Sequence, residues 1–417
     1  MSLIGALNTS SLAMLAQGQG LQTVSNNIAN VNTIAYKREE TLFQTLLYAQ
    51  RASTNASERL AVRAVDRRAV MAQGLIQSTG RSDDLAIDGD GFFLVSRDFG
   101  SPAANDVFFT RDGALKQTYV DMGDGTQQAY YITADGKYLL GWAADESGNF
   151  STSDSLSGLV PLRSFALDEL EGTATTEALM AANIPSNTEI GGTVTLQGSV
   201  YDTTYNSQTL SYIWTKTGAN NWTVDFQVTG GTVSDPATGA TAVTFNGNGK
   251  EQSPQDAVPV TVTWDDGTTS TIAVDLTDME QYADKTVVYR TEQDGNETGR
   301  LYDESFDKNG VLWGSYTNGR NRALYKVAIA QFVAPDSLEA VSGNLFRATE
   351  AAGEMSIRDL EEEAQGTTIL VGNLESSNVD MADEFTRMMM VQKAYTMAST
   401  NFRTVDEMID TAVSMKR

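Results

Sequence analysis

Apolar residues recur every seven positions at both ends of this chain. Leu7, Met14, Leu21 and Ile28 form one such row in the first 31 residues, and Leu3, Val24 and Val31 fall in a second, which they share with polar Ser10 and Gln17. At the other end Met381, Met388, Tyr395, Phe402 and Ile409 make an unbroken series. Val391, Ala398, Val405 and Ala412 fill the matching positions three residues on, with Glu384 the one polar member. Sustained heptads predict helices that share a seam.

The carboxyl-terminal helix has a start signal in Ser377-Asn378-Val379-Asp380, read as a capping box with Ser377 as the cap and Asp380 reaching back. Lys416 and Arg417 close it, where cations suit the helix dipole. The amino-terminal helix is weaker. Gly18 and Gly20 each cost about 1 kcal/mol relative to Ala, and an isolated helix of this composition is marginal in water. It needs a partner face, which the carboxyl-terminal heptads offer; a pair of ordinary core helices is the other reading.

Between the ends the period changes from seven to two. Trp222, Val224, Phe226 and Val228 alternate, as do Val258, Val260, Val262 and Trp264, the latter continuing through Asp266-Gly267 into Ile272 and Val274 as a hairpin. Further strands are expected around Val194 to Val200, Leu210 to Trp214, Phe92 to Val95, Val107 to Phe109, Tyr130 to Ile132 and Tyr325 to Phe332. Turns are expected at Asp112-Gly113, Asp124-Gly125, Asp135-Gly136, Asn309-Gly310 and Asn318-Gly319. Composition shifts near Leu167 and again near Arg300, as when one domain is inserted into a loop of another.

The 417 residues include no Cys and no His. Disulfides, thiolate nucleophiles, zinc sites built on those ligands and Ser–His or Cys–His catalysis are thereby excluded. The net charge of −25 repels phosphates, which argues against nucleic acid and anionic membranes as partners. No run is long and apolar enough for a bilayer span. No basic stretch precedes Lys37, so a conventional secretory signal is not expected. Asp88-Gly89-Asp90-Gly91 lacks the closing Glu of a calcium loop and reads as a turn. Glu361-Glu362-Glu363 reads as a solvated charge run. No catalytic residue, cofactor or metal site is nominated, although a carboxylate-based hydrolase or a β-rich secreted adhesin with a helical stalk would also fit a chain of this class.

The sharpest local signal is Ser25-Asn26-Asn27-Ile28-Ala29-Asn30-Val31-Asn32-Thr33-Ile34-Ala35-Tyr36-Lys37. So many Asn side chains compete with a helix for backbone groups, and suit a helix end followed by an extended link. This run resembles the signature of the flagellar rod, hook and hook-junction axial family, with Ala35 where that signature has Gly. The stretches STGRSDDLAIDGDGFFLV and VFFTRDGAL resemble the family's next segments, and ESSNVDMADEFTRMMMVQKAYTMASTNFRTVDEMIDT its closing helix. Residues 167–300, with the return through NGVLWGSYTNG, YKVAIAQF and GNLFRAT, resemble the hook branch rather than the shorter rod proteins.

The resemblance implies mainly β outer domains with an α-helical coiled-coil domain formed by both termini, in nested, discontinuous domains. These would be 1–36 with 375–417 as the helical domain, 37–74 as an extended linking segment, 75–166 with 301–374 as a middle β domain, and 167–300 as an inserted outer β domain. It implies a homo-oligomeric helical tube at the bacterial flagellum, joining rod to filament as a bending, torque-bearing joint; a distal rod protein is the alternative. Export through the flagellar type III apparatus, without a cleaved signal, is implied, as are hook cap, distal rod and hook–filament junction proteins as partners. The residues expected to carry assembly are Leu7, Met14, Leu21, Asn26, Asn27, Ile28, Asn30 and Tyr36, together with Met381, Met388, Tyr395, Phe402 and Ile409.

Overall fold

The computed structural model describes residues 3–48, 59–100, 106–123, 127–145, 147–165, 169–235, 240–358 and 366–415. The Asp124-Gly125 turn, the Glu361–Glu363 run and the closing Lys416-Arg417 pair lie outside the described residues. The chain divides into two compact units, Met1–Ala166 with Glu304–Gly314 and Arg322–Arg417, and Leu167–Asp303 with Ser315–Asn321.

The first unit holds both helices, α1 (Leu3–Ala29) and α2 (Met381–Ser414). Segment 37–74 is built on a hairpin of β1 (Glu39–Tyr48) and β2 (Arg59–Arg68), paired antiparallel from Glu39–Arg68 to Tyr48–Arg59. The hairpin lies along α1 and answers its polar surface. Asp66 of β2 accepts hydrogen bonds from Gln19 Nε2 at 2.7 Å, Thr23 Oγ1 at 3.1 Å and Thr41 Oγ1 at 2.8 Å. Two polar residues of α1, Gln19 and Thr23, are thereby tied to a neighbouring strand.

Strands β3 (Ile76–Ser78), β4 (Leu85–Asp88), β5 (Phe92–Ser96), β6 (Val107–Thr110), β7 (Lys116–Asp121), β8 (Gln127–Ile132) and β9 (Tyr138–Ala143) follow. They meet strands returning late in the chain. Ile329–Phe332 pairs with β5, Leu345–Arg347 with β6, Thr368–Val371 with β4 and Asn373–Glu375 with β3. The core is aromatic. Phe92, Phe109, Trp142 and Phe346 are buried together, and Phe109 meets Phe332 edge-on at 4.8 Å. The Asp88–Gly91 stretch turns between β4 and β5. Gly91 stands at φ 133°, and a Cβ there would strike the Ile329 side chain.

Where the chain leaves this unit and returns, Glu304 joins the two ends. Its buried carboxylate accepts from Ser164 Oγ at 2.7 Å, Phe165 N at 2.8 Å and Tyr131 OH at 3.1 Å. The second unit has two sheets around a single core. Glu177–Pro185, Gly231–Asp235, Val258–Trp264, Thr269–Asp275, Glu280–Tyr282 and Val287–Gln293 form one; Thr193–Tyr201, Ser207–Lys216, Asn221–Val228, Thr241–Phe245 and Glu251–Ser253 form the other. Each period-two row points inward. Trp214, Trp222, Val224, Val260, Val262 and Ile272 are all buried in the shared core, and Trp222 Nε1 donates to Gln281 Oε1 at 2.6 Å. Asp266-Gly267 is the turn of an antiparallel hairpin, with Gly267 at φ 84°.

One buried acid gives the first unit a distinctive pH dependence. Asp112, in the turn after β6, accepts from Ala114 N at 3.0 Å. Burial pushes its carboxyl up to about 6; the Ala114 N–H opposes this, and the nearby charges of Asp135 and Asp84 add to it. The folded value exceeds the unfolded one, so the stabilising contribution is complete below about pH 4 and lost as pH rises through about 6. Asp112→Asn keeps the acceptor without the charge. Urea unfolding should find the variant close to the unmutated protein at pH 4 and more stable at pH 7.5, by on the order of 1–3 kcal/mol.

Candidate assembly interface

The Asn-rich run ends α1 and locks the chain that follows. Asn27 is buried and bonds the backbone of the first residue of β1 in both directions. Its Nδ2 donates to Glu39 O at 2.8 Å, and its Oδ1 accepts from Glu39 N at 2.9 Å and from Tyr36 OH at 3.2 Å. Asn30, half-buried, folds back on the helix end, its Nδ2 donating to Asn26 O at 2.9 Å and its Oδ1 accepting from Thr33 Oγ1 at 3.1 Å. Asn26 itself is exposed and contributes its backbone. Ala35 is buried at φ 55°, the left-handed region that favours Gly, and its N–H donates to Glu375 O at 2.8 Å.

Beneath the turn lies a buried charge cluster. Glu375 Oε1 takes Lys37 Nζ and the Gly74 N–H, both at 2.7 Å, while Arg111 Nη1 stands 3.5 Å from Oε2. All three charged side chains are 2 % exposed or less. Lys37 Nζ also donates to Ala72 O at 2.8 Å, and Arg111 Nη2 to Gly89 O at 2.7 Å. Burial draws Lys37 below its ordinary value, with Glu375 opposing. The Tyr36 phenol is pushed up to about 12, by burial first and then by Glu39. Asn378 completes the junction, accepting from Arg38 N at 2.7 Å and donating to Ala69 O and Ala72 O at 3.1 and 2.9 Å.

The N-cap of α2 lies three residues later than the capping-box reading has it. Asp380, not Ser377, is the N-cap, its side chain accepting from Ala382 N and Asp383 N. Ser377 Oγ accepts instead from Val379 N, at 3.3 Å. The residue before the helix is held back by the Asn378 clamp, and the first residue free to cap is Asp380.

From this base α1 and α2 lie side by side. Gly20 allows the approach, for the place of its missing Cβ is 3.6 Å from Phe43 and 3.7 Å from Val391. Leu7, Met14, Leu21 and Ile28 are half-buried on α1; Met388, Phe402 and Ile409 are half-buried on α2. Met381 and Tyr395 are more exposed, Tyr395 at 45 %. In the second row Val391, Ala398 and Val405 are half-buried and Glu384 is fully buried. Lys37, Arg111, Glu375 and Asn378 were not singled out by sequence as site residues. All four sit inside the quoted family-like runs, but nothing local pairs Arg111 with Glu375, which meet across 264 residues.

The terminal segment 370–415 matches the family described as flagellar basal body rod FlgEFG protein C-terminal, and residues 167–296 match the flagellar basal body protein FlaE D2 domain. Flagellar hook protein FlgE of Rhizobium meliloti is 31% identical over 430 residues, covering 100% of both chains. The Brucella melitensis protein of the same name is 30% identical over 421 residues, again with 100% of each covered. This chain belongs to the flagellar hook protein family.

A solved structure of Helicobacter pylori flagellar hook protein FlgE2 has TM-score 0.49 and 14% identity, covering 72% of this chain and 100% of that one. The chain is a structural, non-enzymatic hook subunit, and its family polymerises into the flagellar hook. In this hook subunit the left-handed residue of the signature turn is Ala rather than Gly. A β-branched side chain is far less compatible with that backbone. Ala35→Gly should stay within about 1 kcal/mol of the unmutated protein, relief of strain offsetting a lost buried methyl and added unfolded-chain entropy. Ala35→Val should cost about 2 kcal/mol or more. Chemical denaturation monitored by circular dichroism checks the order, and a Val variant as stable as the parent contradicts it.

Proposed function

We propose that this hook subunit assembles through its terminal helices into a flexible tube that joins rod to filament and carries motor torque. The observation that supports this is the unfinished surface of α2. Phe385, Met389, Met390 and Met397 are 48, 57, 58 and 63 % exposed on a helix that already turns a heptad face toward α1. Covering apolar surface is worth about 25 cal/mol per Å², and a single chain leaves that gain unrealised. A head-to-tail contact that does not close on itself generates a helical filament. The paired termini would form the coiled-coil lining, with Leu7, Met14, Leu21, Ile28, Met388, Tyr395, Phe402 and Ile409 in its seams. Asn26, Asn27, Asn30 and Tyr36 would hold the lining to the β body.

In this reading the subunit leaves the cell through the flagellar type III apparatus without a cleaved signal. It polymerises beneath a hook cap and meets distal rod proteins at one end and hook–filament junction proteins at the other. The inserted domain supplies contacts between copies that change as the tube bends.

Two substitution experiments separate these parts. Phe402→Asp puts a charge in the seam, at a cost of several kcal/mol if it stays ionised; the β units should fold while tubes fail to form in electron micrographs. Normal tubes would remove the seam from the mechanism. Replacing 167–300 with a short Gly-Ser linker should leave assembly intact and abolish curvature. The unmodified tube's curvature should respond to salt, which screens charges over about 8–10 Å at physiological strength. A linker variant that does not assemble, or assembles with unchanged curvature, contradicts this.

A further inference from the structure

We infer that Glu384 is an acceptor kept open for a second copy of this chain, filled in the assembled tube by a basic side chain of the neighbouring subunit. The inference deepens the polymerisation reading and rests on it. Glu384 stands in the first turn of α2, on the heptad row that faces α1, and is 0 % exposed. Among the described residues neither of its carboxylate oxygens has a hydrogen-bond partner. The carboxylates beside it are matched. Glu39 holds Arg68 at 2.6 Å, and Glu40 takes both Arg38 and Arg387, the latter at 3.4 Å. Glu384 is the odd acid in this group.

A buried, unpaired carboxylate is costly, so the surroundings should show either a solvation route or room for a donor. They show room. Glu384 lines a cavity of about 400 Å³ with Gly20, Val24, Phe43, Arg387 and Met390. Phe43 and Met390 are 47 and 58 % exposed, so the walls reach the surface and can be displaced by an entering chain. The charge that fits is positive: Glu384 and Glu39 together also help to hold the Tyr36 phenol in its neutral form. A second copy carries suitable donors. Lys393 and Arg403 of α2 are exposed and take part in no ion pair among the described residues. Until a donor arrives, the empty acceptor opposes closure of α1 onto α2, which couples helix pairing to assembly.

The experiment uses the full-length chain, unmutated and as Glu384→Gln and Glu384→Met. The concentration needed for tube formation is measured by sedimentation, helicity is measured below that concentration, and the unmutated tube is imaged by cryo-electron microscopy. The map should show a Lys or Arg of a neighbouring copy within about 4 Å of the Glu384 carboxylate. Glu384→Met should raise the required concentration at least roughly tenfold, with the subunit's helicity equal to or above that of the parent. Glu384→Gln should fall between. Assembly of the Met variant at the parent's concentration overturns the inference. So does a map in which Glu384 is held only by water or by Arg387 of its own chain, and so does a Met variant whose subunit loses helicity. Failure of the unmutated chain to form tubes would fall on the polymerisation reading itself and take this inference with it.

Discussion

The Glu375 carboxylate is the point on which the first unit depends. A desolvated charge is costly unless it is partnered, and Lys37, Arg111 and the Gly74 N–H partner this one. Removing a single partner from such a cluster costs about 3–5 kcal/mol, because the remaining charges are stranded. That cost makes the cluster a geometric constraint. Lys37 leaves α1 and Glu375 leads into α2, 338 residues apart, and their contact fixes exit and entry at one place. The helices must then start from a common base and run in opposite directions, with Gly20 and Val391 at similar distances from it. Gly74 can have no side chain there, since a Cβ would meet the Ser376 carbonyl.

The constraint explains why the Asn-rich signature has its form. Asn27 offers both an acceptor and a donor to one backbone residue, Glu39, and takes the Tyr36 hydroxyl as well. An amide carries its acceptor and its donors on separate atoms of a short side chain, so it can meet the N–H and the C=O of one residue together. Asn378 repeats the device at the other entrance, with an acceptor for Arg38 N and a donor for two carbonyls. Two matched amides thus satisfy backbone groups that neither helix nor sheet can reach at the crossover, where an orphan would cost about 1–3 kcal/mol.

Much of this was legible in the sequence, and what was not has a physical reason. Period-two rows such as Trp222 to Val228 mark strands because a sheet buries alternate side chains, and their inward members are buried. The heptad rows of α1 and α2 are for the most part half-buried, while the fully buried residues of α1 are Ala16, Gly20, Thr23, Val24 and Asn27, of which only Val24 stands on a row. The Asn run could be read as a helix end, because local competition for backbone groups needs no tertiary knowledge. Arg111 lies in one of the family-like runs, but its partner could not be read, since only the fold brings Glu375 to it. The cap of α2 was misplaced by one turn because the tertiary hold on Asn378, not local propensity, decides where the helix begins. The fit of the hairpin along α1, through Asp66, was also invisible, for it joins Thr23 to a residue 43 positions away.

The two ends of the first unit therefore differ in how fully they are satisfied, and that difference suits a polymer subunit. At the base Asn27, Asn378 and the Glu375 carboxylate have their partners, with Glu384 the open acceptor beside them, so the direction of the helices is set before any neighbour is present. Further along, α2 keeps Met389, Met390 and Met397 in water. Methionine is unbranched and adapts to irregular surfaces, which a joint that bends requires of its contacts. A subunit that satisfied its helices alone would have little to gain from a neighbour. One that left its base loose would have no defined direction in which to offer them. The gradient from a closed base to open helices meets both demands within one unit, and places the gain from covering apolar surface where copies meet.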